Sequence, residues 1–190
     1  TRWTTNNFLT YTTSIKDIHK IEATAGMSFE NRYDEYSFVQ GENFADESIT
    51  TLAGAGTITD GTTTQDENNL VSYFGRVNYN FKSKYLLSLN VRVDGDSRFG
   101  SNYKYGTFPS ISAGWIMSDE NFLKDVEWLS FLKLRGSYGI VGNNTGVGFY
   151  GSKAEYGSVK YGLTGAGLGI SNFANDDLRW EKVATTDIGF

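Results

Sequence analysis

Apolar and polar residues alternate with period two over unusually long stretches of this chain. From Lys20 to Glu30 one set is Ile21, Ala23, Ala25, Met27 and Phe29, and the other is Lys20, Glu22, Thr24, Gly26, Ser28 and Glu30. The segments 71–81, 85–94 and 132–141 repeat the pattern, with Val77, Leu87, Leu89, Val91, Leu134 and Ile140 among the apolar positions. Successive strand residues point to opposite sides, so each segment has one greasy and one largely polar face. Shorter runs around Leu9–Ile15, Ile111–Met117 and Trp180–Phe190 bring the predicted strands to seven. Soluble strands average about 5–6 residues. Ten residues at a tilt near 40° rise about 25 Å, the height of the apolar band of a membrane barrel. The pattern therefore predicts an all-β fold, an antiparallel transmembrane β-barrel segment.

Connections alternate in length. Short turns are expected around Asp17-Ile18-His19 and Lys82-Ser83-Lys84. A hairpin centred on Ser83 sets Val77 opposite Leu89, Tyr79 opposite Leu87 and Arg76 opposite Asn90, keeping both faces in register. Long loops are expected from Arg32 to Asn69, Gly95 to Gly106 and Gly142 to Arg179. Short turns on one rim and long loops on the other are the asymmetry of outer-membrane barrels. One connection on the short rim reads as a short helix, capped by Ser118-Asp119, with Phe122, Leu123, Val126 and Leu129 on one face.

Composition sharpens this picture. Phe, Tyr and Trp make up 15% of the chain, too many for disorder. By height they sort into two girdles, with Tyr79, Phe81, Tyr85, Trp115 and Phe190 near the short turns. Phe29, Tyr33, Tyr73, Tyr138 and Trp180 lie near the long loops. No cysteine and one histidine exclude a disulfide framework and a thiolate metal site. A net charge of −5 argues against nucleic acid as a partner. No run is apolar enough for a membrane helix. The mildly negative mean hydropathy does not weigh against a barrel, because polar neighbours cancel the apolar face.

Three stretches resemble the SusC/RagA-like TonB-dependent outer-membrane transporters of Bacteroidetes. These are residues 73–100, 106–143 and 178–190, above all Asp94-Gly95-Asp96-Ser97-Arg98-Phe99-Gly100 and Gly106-Thr107-Phe108-Pro109-Ser110. The resemblance implies an internal stretch of a barrel of about 22 strands, without the plug domain that such transporters carry. It implies a multi-pass protein of the bacterial outer membrane that imports oligosaccharides or peptides. The partners it implies are outer-membrane lipids, the protein's own plug, a SusD-like surface lipoprotein and the TonB complex.

Candidate contacts follow from the faces. Lys20, Glu22, Arg76, Asn78, Asn90, Arg92, Lys133 and Arg135 are expected to face the lumen, meeting the plug and one another more than solute. Asn143, Asn144, Tyr150, Tyr156 and Tyr161 in the last long loop are candidates for sugar or peptide contact. The Arg32–Asn69 loop carries eight acids against one base, a net charge of −7. It reads as a solvated surface loop, with a cation site or a lipoprotein contact as the sharper alternative. Asp94 and Asp96 have the opening spacing of a calcium loop but lack the closing glutamate. Pairing with Arg92 or Arg98, bracing a loop base, is the better expectation. Gly165-Ala166-Gly167-Leu168-Gly169 lacks the strand and helix of a phosphate loop. His19 lacks a nucleophile pattern, and Asp119 with Glu120 suits a helix start. No catalytic set, metal site or cofactor is expected. Two other readings stay open: a soluble carbohydrate-binding β-sandwich, and an outer-membrane barrel with a secretion or structural role.

Overall fold

A computed structural model describes residues 1–123, 126–162 and 165–190. Seven strands form one antiparallel sheet in the order β1-β2-β3-β4-β5-β6-β9. They are β1 (Arg2–Ile15), β2 (His19–Glu42), β3 (Thr57–Phe81), β4 (Tyr85–Asp96), β5 (Tyr105–Ile116), β6 (Lys133–Asn143) and β9 (Glu181–Gly189). A separate hairpin pairs β7 (Glu155–Tyr161) with β8 (Gly165–Asn172). The sheet is open, with β1 and β9 at its edges. All seven predicted strands are present, and the β3–β4 register is the one expected from a turn at Ser83.

The two tight turns share a conformation. Lys16 and Asp17 have φ of 52° and 53°, and Lys82 and Ser83 have φ of 53° and 56°. The Ile18 N–H donates to the Ile15 carbonyl at 3.2 Å, and the Lys84 N–H to the Phe81 carbonyl at 3.0 Å. Two left-handed residues in succession match the right-handed twist of the flanking strands. The first turn occupies residues 16–18, so His19 belongs to β2, one residue earlier than the sequence pattern placed the strand.

The sheet stands as a single layer. Val77 is 41% exposed, Leu89 and Val91 45% each, and Ile111 46%. A sandwich would bury this stripe against a second sheet. No described residues form such a layer, so the sandwich reading fails. Rings line the short-turn end of the apolar face in sequence: His19–Phe81, Phe81–Tyr85 and Tyr85–Trp115, with centroids 4.9, 6.0 and 6.3 Å apart. At the other end Trp3 meets Phe29 at 5.1 Å. Trp180 leaves its expected girdle. It is buried beneath the loops with Phe99 and Phe108.

Three further expectations are corrected. The Arg32–Asn69 connection is mostly a ribbon, since β2 and β3 stay paired out to Glu42 and Thr57, with one bulge at Gln40/Gly41. The Gly142–Arg179 loop contains the β7–β8 hairpin. The predicted helix at Ser118 is a single 3-10 turn, Met117–Asp119, preceded by Ile116 and lacking a side-chain cap. The Ser118 hydroxyl is buried without a partner. Beyond it, turns close at Leu123, Val126 and Leu129 by bonds to the carbonyls of Glu120, Leu123 and Val126; Lys124 and Asp125 lie outside the described residues. The physical reason is anchorage. The N–H groups of Met117 and Ser118 both donate to the Leu132 carbonyl. The Glu120 carboxylate accepts from Tyr85 Oη at 2.7 Å, Trp115 Nε1 at 3.1 Å and Lys84 Nζ at 3.3 Å. The segment is thereby held flat against the wall.

Candidate functional site: the polar face and its loop roof

Continuous register aligns polar side chains in rows across the wall. One row runs Thr12, Glu22, Asn78, Ser88, Ser112, Ser137, Asp187. The next, towards the long loops, runs Thr10, Thr24, Arg76, Asn90, Ser110, Gly139, Thr185. Alternation places all eight predicted lumen residues on this face. Five are tied to neighbours. Asn78 Nδ2 donates to Glu22 Oε1 at 3.1 Å, and Asn78 also accepts from the Ser88 hydroxyl. Arg76 Nε donates to Asn90 Oδ1 at 2.6 Å. Arg92 grips both carboxylate oxygens of Asp94, at 2.7 and 2.9 Å, and reaches Ser72 Oγ at 2.9 Å. Lys20, Lys133 and Arg135 retain more freedom. They line one trough of about 690 Å³ with Glu22, Ser112 and Asp187. Arg135 has only a loose contact, 3.9 Å, to Asp187.

Above the wall the long loops fold over the polar face and bury Asn68, Ser72, Asp94 and Asp96. Asp96 is fully enclosed. Arg98 Nη2 donates to its carboxylate at 2.6 Å and Asn144 Nδ2 at 3.1 Å. Arg98 Nη1 also reaches the Val147 carbonyl at 3.3 Å. The hydrogen bonds to Asp96 hold the Arg98 guanidinium cationic beyond its ordinary range. Asp94 and Asp96 thus pair with Arg92 and Arg98, the loop-bracing role expected of them. Around this pair, Trp180 stacks on Phe99 at 4.6 Å and meets Phe108 edge-on at 5.3 Å. Its indole N–H donates to the Lys104 carbonyl at 3.1 Å. Leu70, Ile140, Val147 and Leu178 complete the cluster.

The two loops are stitched directly. Gly100 N–H donates to the Leu178 carbonyl at 2.9 Å, Ser101 Oγ to Asp176 at 2.8 Å and Asn102 Nδ2 to Asp177 at 2.9 Å. A Cβ on Gly100 would lie 2.1 Å from the Asp176 carbonyl oxygen.

The loop candidates divide accordingly. Asn143 donates to Glu181 at 2.8 Å and accepts from the Thr145 N–H at 2.9 Å, so it closes a turn. Asn144 belongs to the Asp96 cluster. Tyr150 and Tyr156 present exposed rings, whereas the Tyr161 side chain lies outside the described set. The acidic ribbon sets Asp34 opposite Asp66 and pairs Arg32 with Asp34 at 2.5 Å. Among the described residues no three acidic or histidine side chains come together in a metal-holding arrangement. Sequence reasoning missed the Phe99–Phe108–Trp180 core and the Glu120 clamp.

The family model described as "TonB dependent receptor-like, beta-barrel" matches residues 1–190. The chain belongs to this family. The TonB-dependent receptor P39 of Formosa agariphila is 36% identical over 185 residues, covering 96% of this chain and 18% of the relative. The TonB-dependent receptor SusC of Bacteroides thetaiotaomicron is 44% identical over 128 residues, covering 64% of this chain and 13% of the relative. In the structure of the RagAB peptide transporter, one chain superimposes with a TM-score of 0.84 at 29% identity, over 95% of this chain and 20% of that one. The RagAB peptide importer in the "open-open" state gives 0.87 at 28% identity, over 99% and 21%. The SusC/RagA-like resemblance read from the motifs at 94–100 and 106–110 therefore holds. The chain spans about a fifth or less of the relatives it matches, and it forms an open part of a TonB-dependent receptor barrel.

Proposed function

We propose that this chain is the lateral wall of a TonB-dependent importer in the outer membrane of a Bacteroidetes-type bacterium. Its apolar face meets lipid and its polar face lines the lumen. The observation that carries this reading is a single sheet with one bare apolar face and one face cross-linked by side-chain hydrogen bonds. Strand pairing satisfies the backbone, which hydrocarbon cannot do. The cargo is an oligosaccharide or a peptide, the two classes that the SusC/RagA-like resemblance implies. A SusD-like surface lipoprotein closes the long-loop rim, and the TonB complex acts through a plug outside this chain. Most of the polar face braces the wall. Lys20, Lys133 and Arg135 hold the plug, because they line one trough together and none of them makes a tight ion pair among the described residues. The test is uptake by a strain deleted for the whole gene. Loss of growth on one glycan or peptide source, restored by the complete gene, is expected. Normal growth on every candidate nutrient would overturn import and leave a secretion or structural barrel. Lys133→Ala with Arg135→Ala should weaken plug retention in the complete barrel while leaving membrane insertion intact.

A further inference from the structure

The ladder between β5 and β6 ends at Ser110–Gly139, although β5 continues outwards to Tyr105. Pro109 lacks the N–H to extend the pairing on that side. The seam opens into a cavity of about 230 Å³ lined by Tyr103, Tyr105, Gly106, Arg179, Trp180 and Lys182. Its floor is buried Gly106 and Trp180, and its sides are exposed. By register Tyr105 stands on the face that carries Val91 and Ile111, and Lys182 on the face that carries Ala184 and Ile188. Gly106 and the Phe108 ring beneath Lys182 come from the polar-face parity, so the cavity is an opening through the seam whose Tyr105 and Lys182 lip stands on the lipid-facing side, at the level of the second aromatic girdle.

Two cations serve it, and neither has a carboxylate within ion-pair distance among the described residues. The Arg179 guanidinium sits 4.4 Å from the Tyr103 ring centre, and the Lys182 ammonium 5.8 Å from that of Phe108. Rings, not acids, hold them in place, which leaves their charge available. A guanidinium offers forked donors that match phosphate, and an ammonium adds a point charge. Exposed tyrosines beside them suit the boundary between headgroup and acyl chain. The geometry points to a site for the phosphate of an outer-leaflet lipid headgroup, at the open outer end of the β5–β6 seam.

This inference rests on the outer-membrane placement proposed above, yet its test reads something else. The complete transporter is placed in phosphatidylcholine nanodiscs containing bisphosphorylated lipid A, and retained lipid A is counted by native mass spectrometry. Arg179→Ala with Lys182→Ala should lower retention roughly tenfold or more, while Arg179→Lys with Lys182→Arg keeps most of it. Dephosphorylated lipid A should be retained poorly by the unaltered protein. Unchanged retention in the double alanine variant, or equal retention of both lipids, overturns the site. Displacement by millimolar inorganic phosphate would show a free-anion site and overturn the lipid source. A barrel that fails to insert would overturn the membrane placement itself.

Discussion

In the wall, Val77, Leu89, Val91 and Ile111 stay 41–46% exposed, whereas in the roof Phe99, Phe108 and Trp180 fall to 8% or less. The wall draws its order from backbone ladders and leaves its apolar face uncovered by any described residues. The roof carries a miniature core of its own and an ion pair whose carboxylate, Asp96, is fully buried. One chain thus holds two kinds of order, a bare single layer and a buried cluster, with the change occurring within a few residues at the top of β4.

Breaking the roof should have the largest effect and should stay local. Trp180→Ala removes the ring shared by Phe99 and Phe108 and is expected to cost about 3–5 kcal/mol. Hydrogen exchange on the complete barrel should show faster exchange in residues 97–104 and 144–180, with β2–β4 unchanged. Simultaneous loss of the wall would erase the distinction. Asp96→Ala strands Arg98 in a half-buried site and should cost a similar or slightly smaller amount, about 3–5 kcal/mol. Limited proteolysis of the roof loops reads this directly, and protease resistance equal to the parent would contradict it.

The wall should respond to charge instead of volume. Leu89→Arg is expected to cost about 2–4 kcal/mol near the bilayer midplane. A folding titration of the complete barrel in liposomes checks it, and a change within error would mean that lipid does not cover this face. The smallest effect concerns Glu120. Donation from Tyr85, then Trp115 and Lys84, holds its carboxyl below the ordinary value of 4.5. A depressed acid contributes fully above that value and loses its contribution as pH falls through the depressed one. The connection at 117–132 should therefore become protease-sensitive only at strongly acidic pH. Glu120→Gln should be equally sensitive at all pH values; a persistent acid transition in that variant would assign the effect to another group.

How far the sequence could be read follows the same division. Strands β1–β6 and the Ser83 register were legible because a sheet with one bare apolar face and one tied polar face imposes strict alternation on Ile21–Phe29 and Tyr85–Asp94. The outer ribbon was not, since its acids and the run Thr62–Thr64 read as loop while the register in fact continues past Tyr36 and Phe38. The β7–β8 hairpin hid behind Gly157, Gly165, Gly167 and Gly169, residues that weaken any strand signal. Apolar spacing after Ser118 imitated a helix, but the decisive partner of Glu120 is 35 residues away in sequence at Tyr85. Of the candidate contacts, the tied polar face was legible from parity alone. The part of Asn144 in enclosing Asp96 depends on a loop returning across 48 positions, which no local pattern announces.

Gly100 shows what such a return demands. A single methyl there would strike the opposite chain at 2.1 Å, so the joint has no room for ornament. In the finger formed by β7 and β8 the tight contact is of another kind: a Cβ on Gly169 would first meet the Val159 side chain, at 2.8 Å, instead of backbone. Larger side chains can therefore be accommodated in the finger by repacking, while the knuckle beneath it admits only a hydrogen atom.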